Sequence, residues 1–304
     1  MKTFNRSSVL GVLGVLATLS VSCSTSVLSP NRRSSSSAMD AKSTLKVERY
    51  VGSESGFKVT SNLILGESEA VLVDAQFTRS DARNVVKMIQ ESGRNLKTVF
   101  ITHGHPDHYF GIETLKAAYP KAHFVASSDT IQDIAATGQG KLDYWKKLYG
   151  DELPDQVPSV QELKLEDLNL DGEQFELKSL LPGESAHASI LVVPSLKSAF
   201  VGDMAYDEVH LWLAEAVGNT ESWKRNLSMI ERDERIKNIY VGHQKISRDN
   251  NLSILKTNRA YIDTALEIFA ASSSKEEAAT KLKSTFPTYS LPIIADLAAG
   301  AFVK

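Results

Sequence analysis

The sequence predicts an α/β fold, a four-layer αββα sandwich with helices added at its C-terminal end. Three observations carry that expectation. Short β-branched and apolar runs alternate with helical spacings from about residue 45 to residue 241. Two of those runs end in glycine followed at once by a potential ligand, at Gly202-Asp203 and Gly242-His243. After His243 the pattern becomes purely helical.

In chain order, residues 45–51 alternate as a half-buried strand does. Residues 61–65 and 70–74 predict a hairpin through Gly66-Glu67-Ser68-Glu69. Val85, Val86 and Ile89 give residues 80–92 a helical spacing, closed by Gly93. Thr98-Val99-Phe100-Ile101 reads as a buried strand, residues 112–118 as a helix running into Pro120, and residues 122–126 as a strand. His123 lies in that strand and reads as an ordinary strand histidine without a metal. Residues 127–158 are helical up to Leu148 and then loop through Pro154 and Pro158. Tyr144, Trp145 and Tyr149 in this insert fit either the border of an active-site mouth or plain packing. Short strands fill residues 160–201, a helix covers 221–232, and a strand ends at Val241. Residues 253–271, 275–286 and 291–302 read as helices, separated by Ser272-Ser273-Ser274 and by Pro287. We therefore divide the chain into a sandwich domain at 44–250 and a C-terminal helical appendage at 251–304, which carries no evident chemistry.

With 304 residues, 42% of them hydrophobic, the chain can bury one ample core. A formal net charge of −3 gives no basic excess, so nucleic acid is not expected as a partner. No protein partner is expected either.

The first 23 residues read as a targeting segment. Lys2 and Arg6 precede an apolar stretch from Val9 to Leu19, too short to span a bilayer comfortably and matching a secretory signal. Leu19-Ser20-Val21-Ser22-Cys23 resembles a bacterial lipobox, although Leu19 stands four residues before the cysteine rather than three. The expectation is an exported protein, periplasmic or otherwise extracytoplasmic, that could be tethered to a membrane through a lipid on Cys23. Residues 24–43 are Ser-rich and read as a flexible tether. Cys23 is the only cysteine, so the mature domain holds neither disulfide nor thiolate ligand.

Chemistry concentrates at Thr102-His103-Gly104-His105-Pro106-Asp107-His108, three imidazoles and a carboxylate within six residues. Imidazole and carboxylate suit a divalent cation such as zinc. The preceding strand places the cluster on a loop held by a rigid sheet, where catalytic groups gather. Further candidate ligands are His187, after Leu181-Pro182-Gly183-Glu184-Ser185-Ala186, together with Asp203 and His243. Asp74 ends another apolar run, Ala70-Val71-Leu72-Val73.

Taken in order, Asp74, the His103-x-His105-x-Asp107-His108 motif, His187, Asp203 and His243 resemble the metallo-β-lactamase superfamily over roughly residues 45–250. The resemblance implies the sandwich fold and two zinc ions, or other divalent metals such as manganese or iron: His103, His105 and His187 at one, Asp107, His108 and His243 at the other, with Asp203 bridging. Asp74 would hydrogen-bond the metal loop and orient it. The implied reaction is hydrolysis by a hydroxide shared between the metals, since zinc lowers the pKa of bound water from 15.7 to about 7. Asp107 would orient that hydroxide and ferry its proton. Asp203 departs from the β-lactamases that carry Cys or Ser at this place, and it looks like the lactonase, glyoxalase-II and phosphodiesterase branches. Tyr206, three residues on, is placed as the tyrosine that hydrogen-bonds the substrate carbonyl in the lactonases. His210 and Trp212 are candidates for the pocket wall. A small ester, lactone or thioester is the expected substrate. A β-lactamase, a phosphodiesterase-type hydrolase or a non-catalytic metal-binding protein are the alternatives.

Overall fold

A computed structural model describes residues 44–246 and 250–303. The targeting segment, Cys23 and the Ser-rich stretch up to residue 43 lie outside the described residues. The chain opens with three strands, β1 (Lys46–Val51), β2 (Thr60–Leu65) and β3 (Glu69–Val73), then α1 (Arg79–Ser92) and β4 (Asn95–Phe100). Two short helices follow, α2 (Pro106–Tyr109) and α3 (Ile112–Ala118), then β5 (His123–Ala126), the long α4 (Ser128–Tyr149) and β6 (Gln161–Glu162). The small pair β7 (Asn169–Leu170) and β8 (Glu173–Gln174) leads into β9 (Glu176–Ser179), β10 (Ser189–Val193) and β11 (Ser198–Asp207). The chain closes with α5 (Thr220–Arg232), β12 (Asn238–Gln244), α6 (Ser253–Ala270), α7 (Lys275–Thr285) and α8 (Pro292–Phe302).

Two mixed sheets result. The first runs β1-β2-β3-β4-β5-β6, antiparallel through β3 and parallel from β3 onward. The second runs β12-β11-β10-β9, with β11 and β12 parallel. Successive strand side chains point to opposite faces, so a strand buried on both sides feeds two cores. Ile64, Val71, Val73 and Phe100 meet Leu191, Val193 and Phe200 between the sheets. Their neighbours Leu63, Leu72, Val99 and Ile101 point the other way, against Val85 and Ile89 of α1. On the far side Ile190, Val192, Ala199 and Val201 pack under Trp223, Leu227, Tyr261 and Ile262. Helix, sheet, sheet and helix thus stack as the αββα pattern requires.

Local chemistry sets the element ends. Thr78 caps α1 by accepting from the Asp81 amide, and Gly93 closes it in the left-handed region at φ 69°. The helices beyond residue 251 are not a separate body. Leu255, Tyr261, Ala278, Leu282, Ala295 and Ala298 share one continuous core with β10–β12. Among the described residues, no helix is long and apolar enough to cross a membrane.

Candidate metal centre

The site forms where the two sheets meet. Pairing of Ile101 N to Val125 O and of Asp74 N to Phe100 O ends at the first sheet's rim, where the chain turns into the His-rich loop. His105 has extended backbone (φ −83°, ψ 139°), as expected for a residue before proline, and Pro106 starts α2. Asp107 and His108 therefore sit in the first turn of a short helix and face a different way from His103 and His105. From the second sheet, β11 supplies Asp203 and β12 supplies His243. Two backbone bridges join the sheets at this point, His103 with Ala188 and Val59 with His243.

Glycine is required at the two strand positions before these ligands. Gly202 has φ 50°, and a Cβ there would meet Thr102 Oγ1 at 2.6 Å. A Cβ on Gly242 would lie 2.0 Å from Asp203 Oδ1.

Ligand-type atoms gather in two groups, His103, His105, Glu184 and Asp203 in one and Asp107, His108 and His243 in the other. Asp203 faces both: its Oδ2 is 3.7 Å from His103 Nε2 and 3.0 Å from His243 Nε2, and its Oδ1 is 3.0 Å from His108 Nε2. Asp107 Oδ2 lies 3.5 Å from His243 Nε2 and 3.9 Å from His108 Nε2.

The ring nitrogens turned away from the centre are engaged. His108 Nδ1 pairs with Asp74 Oδ2 at 2.8 Å, and His243 Nδ1 with the Phe57 carbonyl at 2.6 Å. His103 Nδ1 lies 3.0 Å from Thr102 Oγ1, which in turn donates to Asp74. His105 Nε2 reaches Glu215 Oε2 at 3.3 Å. Such outward bonds set the tautomer and leave the inward nitrogen's lone pair for a cation. Asp74, itself at φ 63°, also accepts from the Thr102 amide at 2.9 Å, so it holds the whole loop.

The inward atoms fit a metal. His103 Nε2 is buried without a hydrogen-bond partner, and buried Glu184 Oε1 and Asp203 Oδ1 meet imidazole nitrogens of the centre. Glu184 Oε1 lies 2.6 Å from His105 Nδ1, an ion pair within the same ligand group. His108 Nε2 and His243 Nε2 face each other at 3.4 Å. Orphaned donor atoms are costly when buried, and a divalent cation satisfies all of them at once. Electrostatics agree. Burial pushes the Asp203 carboxyl up, but His108, His243 and His103 outweigh it and hold it well below the usual range. Burial opposes charge on His108, but Asp203, Asp74 and Asp107 prevail and hold it well above its usual value.

Not every expected ligand arrives. His187 stays outside: its side chain is half exposed and its Nδ1 pairs with Asp133 of α4 at 3.0 Å. The Ala188 bridge to His103 fixes the β9–β10 loop, and a tight turn in which Gly183 N donates to Ser185 O brings Glu184 inward instead. Glu184 is 1% exposed and occupies the place expected for His187. Sequence reasoning passed over it, although one signal was present. Gly183-Glu184 repeats the glycine-then-ligand pattern of Gly104-His105, Gly202-Asp203 and Gly242-His243. Glu215, Thr102 and the Phe57 carbonyl were also missed, since their roles depend on tertiary placement alone.

Tyr206 is buried against the centre. Its hydroxyl donates to Asp203 Oδ2 at 2.7 Å, and its ring stacks on His243 at 5.0 Å and 5°. His210 and Trp212 both line a cavity of about 570 Å³ that opens onto His105, Asp107, Asp203 and His243. His210 is nevertheless committed to packing, with Nδ1 2.7 Å from the Tyr261 hydroxyl. Trp212 stands edge-on to His105 at 6.4 Å. The cavity's outer walls are apolar, with Trp145 and Leu148 from α4 facing Leu291, Ile293 and Leu297 at the start and body of α8. His123 lies elsewhere, paired with Asp167 at 2.6 Å.

Comparison with known proteins agrees with the fold. A model of the metallo-beta-lactamase superfamily matches residues 55–243, and the chain belongs to that superfamily. A metallo-beta-lactamase family protein of Thermus thermophilus superposes with a TM-score of 0.58 at 18% identity, covering 83% of this chain and 91% of that one. Over shorter stretches the chain is similar to two hydroxyacylglutathione hydrolases. That of Tolumonas auensis is 31% identical over 72 residues, and that of Albidiferax ferrireducens 38% identical over 82. These matches cover 24% and 26% of this chain and only 27% and 31% of the relatives' lengths.

Proposed function

We propose that this protein is a hydrolase with a dinuclear metal centre, zinc being the expected ion, acting on the carbonyl of a small ester, lactone or thioester. One observation carries the reading. Asp203 stands between two groups of imidazoles and carboxylates whose inward atoms are crowded against one another and against Asp203 itself. His103, His105 and Glu184 would hold one cation, Asp107, His108 and His243 the other, and the two oxygens of Asp203 would serve both. Cations bound there would supply ionised water at neutral pH and polarise the substrate carbonyl.

The remaining chemistry belongs to the chain. Asp107 is the least buried carboxylate of the centre and borders the cavity, so it is placed to accept and pass on a proton. The Tyr206 hydroxyl fixes one oxygen of Asp203. The apolar walls exclude water and favour a substrate with an apolar arm over a purely ionic one. The short likenesses to hydroxyacylglutathione hydrolases support the thioester member of the substrate set. Among described residues near the centre, Asp203 stands where β-lactamases of the resemblance carry Cys or Ser, which leaves the β-lactamase reading second.

The test is metal content of the purified chain beside His105→Ala and Asp203→Ala, followed by a panel of thioester, lactone, phosphodiester and β-lactam substrates. We expect about two metals per chain, fewer in both variants, and turnover of carbonyl substrates that is lost in Asp203→Ala. A chain that takes up no metal even when zinc is supplied, or an Asp203→Ala variant with undiminished turnover, overturns the reading.

A further inference from the structure

We infer that Glu184 is a metal ligand of this protein and that it makes the two metal positions alike, each with two imidazoles, one carboxylate of its own and a share of Asp203. The inference rests on the dinuclear reading, in which Glu184 already belongs to the first group, and deepens it in the metals that this ligand selects.

Several observations converge. Glu184 is 1% exposed, and no lysine or arginine pairs with it among the described residues. Its Oε1 lies 2.6 Å from His105 Nδ1 and 3.9 Å from His103 Nε2, so the charged or polar side chains it meets are imidazoles of the same ligand group. A buried carboxylate set against imidazoles that are themselves ligand groups is costly to keep, and a cation shared among them removes that cost. The imidazole three residues later cannot take its place, because His187 is turned to Asp133 on α4. The shape of the β9–β10 loop therefore decides between the two residues.

The consequence is chemical. With His187 the first position would hold three imidazoles and the shared carboxylate. With Glu184 it holds two imidazoles and two carboxylates, the same inventory as His108, His243, Asp107 and Asp203. Imidazole favours zinc, while carboxylate oxygen favours harder ions such as manganese. The exchange of one imidazole for one carboxylate moves the first position toward Mn²⁺ relative to Zn²⁺. It also lowers the net charge of the loaded centre by one, because three carboxylates rather than two face the two dications.

The test is calorimetric titration of the metal-stripped chain with Mn²⁺ and, separately, Zn²⁺, comparing wild type with Glu184→Ala, Glu184→Gln, Glu184→His and His187→Ala. Circular dichroism checks each fold. Should Glu184→Ala fail to fold, the near-isosteric Gln and the His variants carry the test. Expected are two Mn²⁺ equivalents for wild type and for His187→Ala, and one for Glu184→Ala and Glu184→Gln. Glu184→His should regain the second equivalent with Zn²⁺ while its Mn²⁺ affinity at that position falls on the order of tenfold relative to Zn²⁺. Two equivalents at wild-type affinity in Glu184→Ala, the loss of one in His187→Ala, or an unchanged Mn²⁺-to-Zn²⁺ ratio in Glu184→His overturns the inference. A wild-type chain that binds two metals and hydrolyses carbonyl substrates while Glu184→Ala keeps both metals overturns this inference alone. No uptake by wild type overturns the dinuclear reading with it.

Discussion

At Tyr206 a single hydroxyl joins the pocket to the candidate metal centre. It donates to the same Asp203 oxygen that lies 3.0 Å from His243, and the ring lies flat on that imidazole. Burial, and then the Asp203 carboxylate, push its pKa well above the usual value, so it stays a donor across the working range. Groups that orient metal ligands typically contribute about 10–100-fold in metal affinity or activity. Tyr206→Phe is expected to weaken metal binding by roughly that factor while leaving the fold intact, since the ring still stacks. Equal metal affinity and equal turnover in the two proteins would show the hydroxyl to be idle. At this scale much of the site was legible. His103, His105, Asp107 and His108 are close in sequence, and proximity on a loop needs no knowledge of the fold. Glu184 was not legible, because a single glutamate after a glycine looks like any solvated turn until a neighbouring strand buries it. His187 was preferred to it because it follows the same turn and the resemblance implies a histidine ligand at that place.

Among elements, the segment after β11 and the three C-terminal helices depend on one another. His210 N donates to the Ser290 carbonyl, and the imidazole packs against Tyr261 of α6 and Tyr289 before α8. Burial, and then nearby Lys283, lower the His210 pKa from 6.5 to about 4. The sign follows from proton counts. Between these values the unfolded chain binds a proton that the folded chain refuses, so stability is fully present above about pH 6.5 and is lost as pH falls toward 4. The contribution is roughly 3 kcal/mol at most. Urea midpoints of wild type should fall more steeply across that window than those of His210→Gln, and parallel slopes would rule out His210 as the titrating group. The helices themselves were legible from spacing, with ends within a residue or two of those observed. Their contribution to the cavity wall was not. Which face of α8 meets α4 across the pocket is a property of packing, and no local pattern encodes it.

For the molecule as a whole, the four layers were legible because alternation in β2–β4 and β10–β11 serves two cores at once. The relation between the sheets at the site was not, since it depends on two isolated backbone bridges. Candidate ligands from the first sheet's loops, His103, His105, Asp107 and His108, face Asp203 and His243 from the second. Cations bound between them would favour the folded chain by mass action, about 2.7 kcal/mol for each site at one hundred times its dissociation constant. For a domain of this size that corresponds to a rise in melting temperature of roughly 5–10 °C per site. Thermal melts with and without a chelator should differ by at least that much, and coincident melts would show that the centre does not couple the sheets. The bridges at His103 and His243 then acquire a second meaning. They close the seam between the halves of the sandwich at its rim, so the residues proposed to do the chemistry also act as its clasp, and a chain without bound ions is expected to open first at that site.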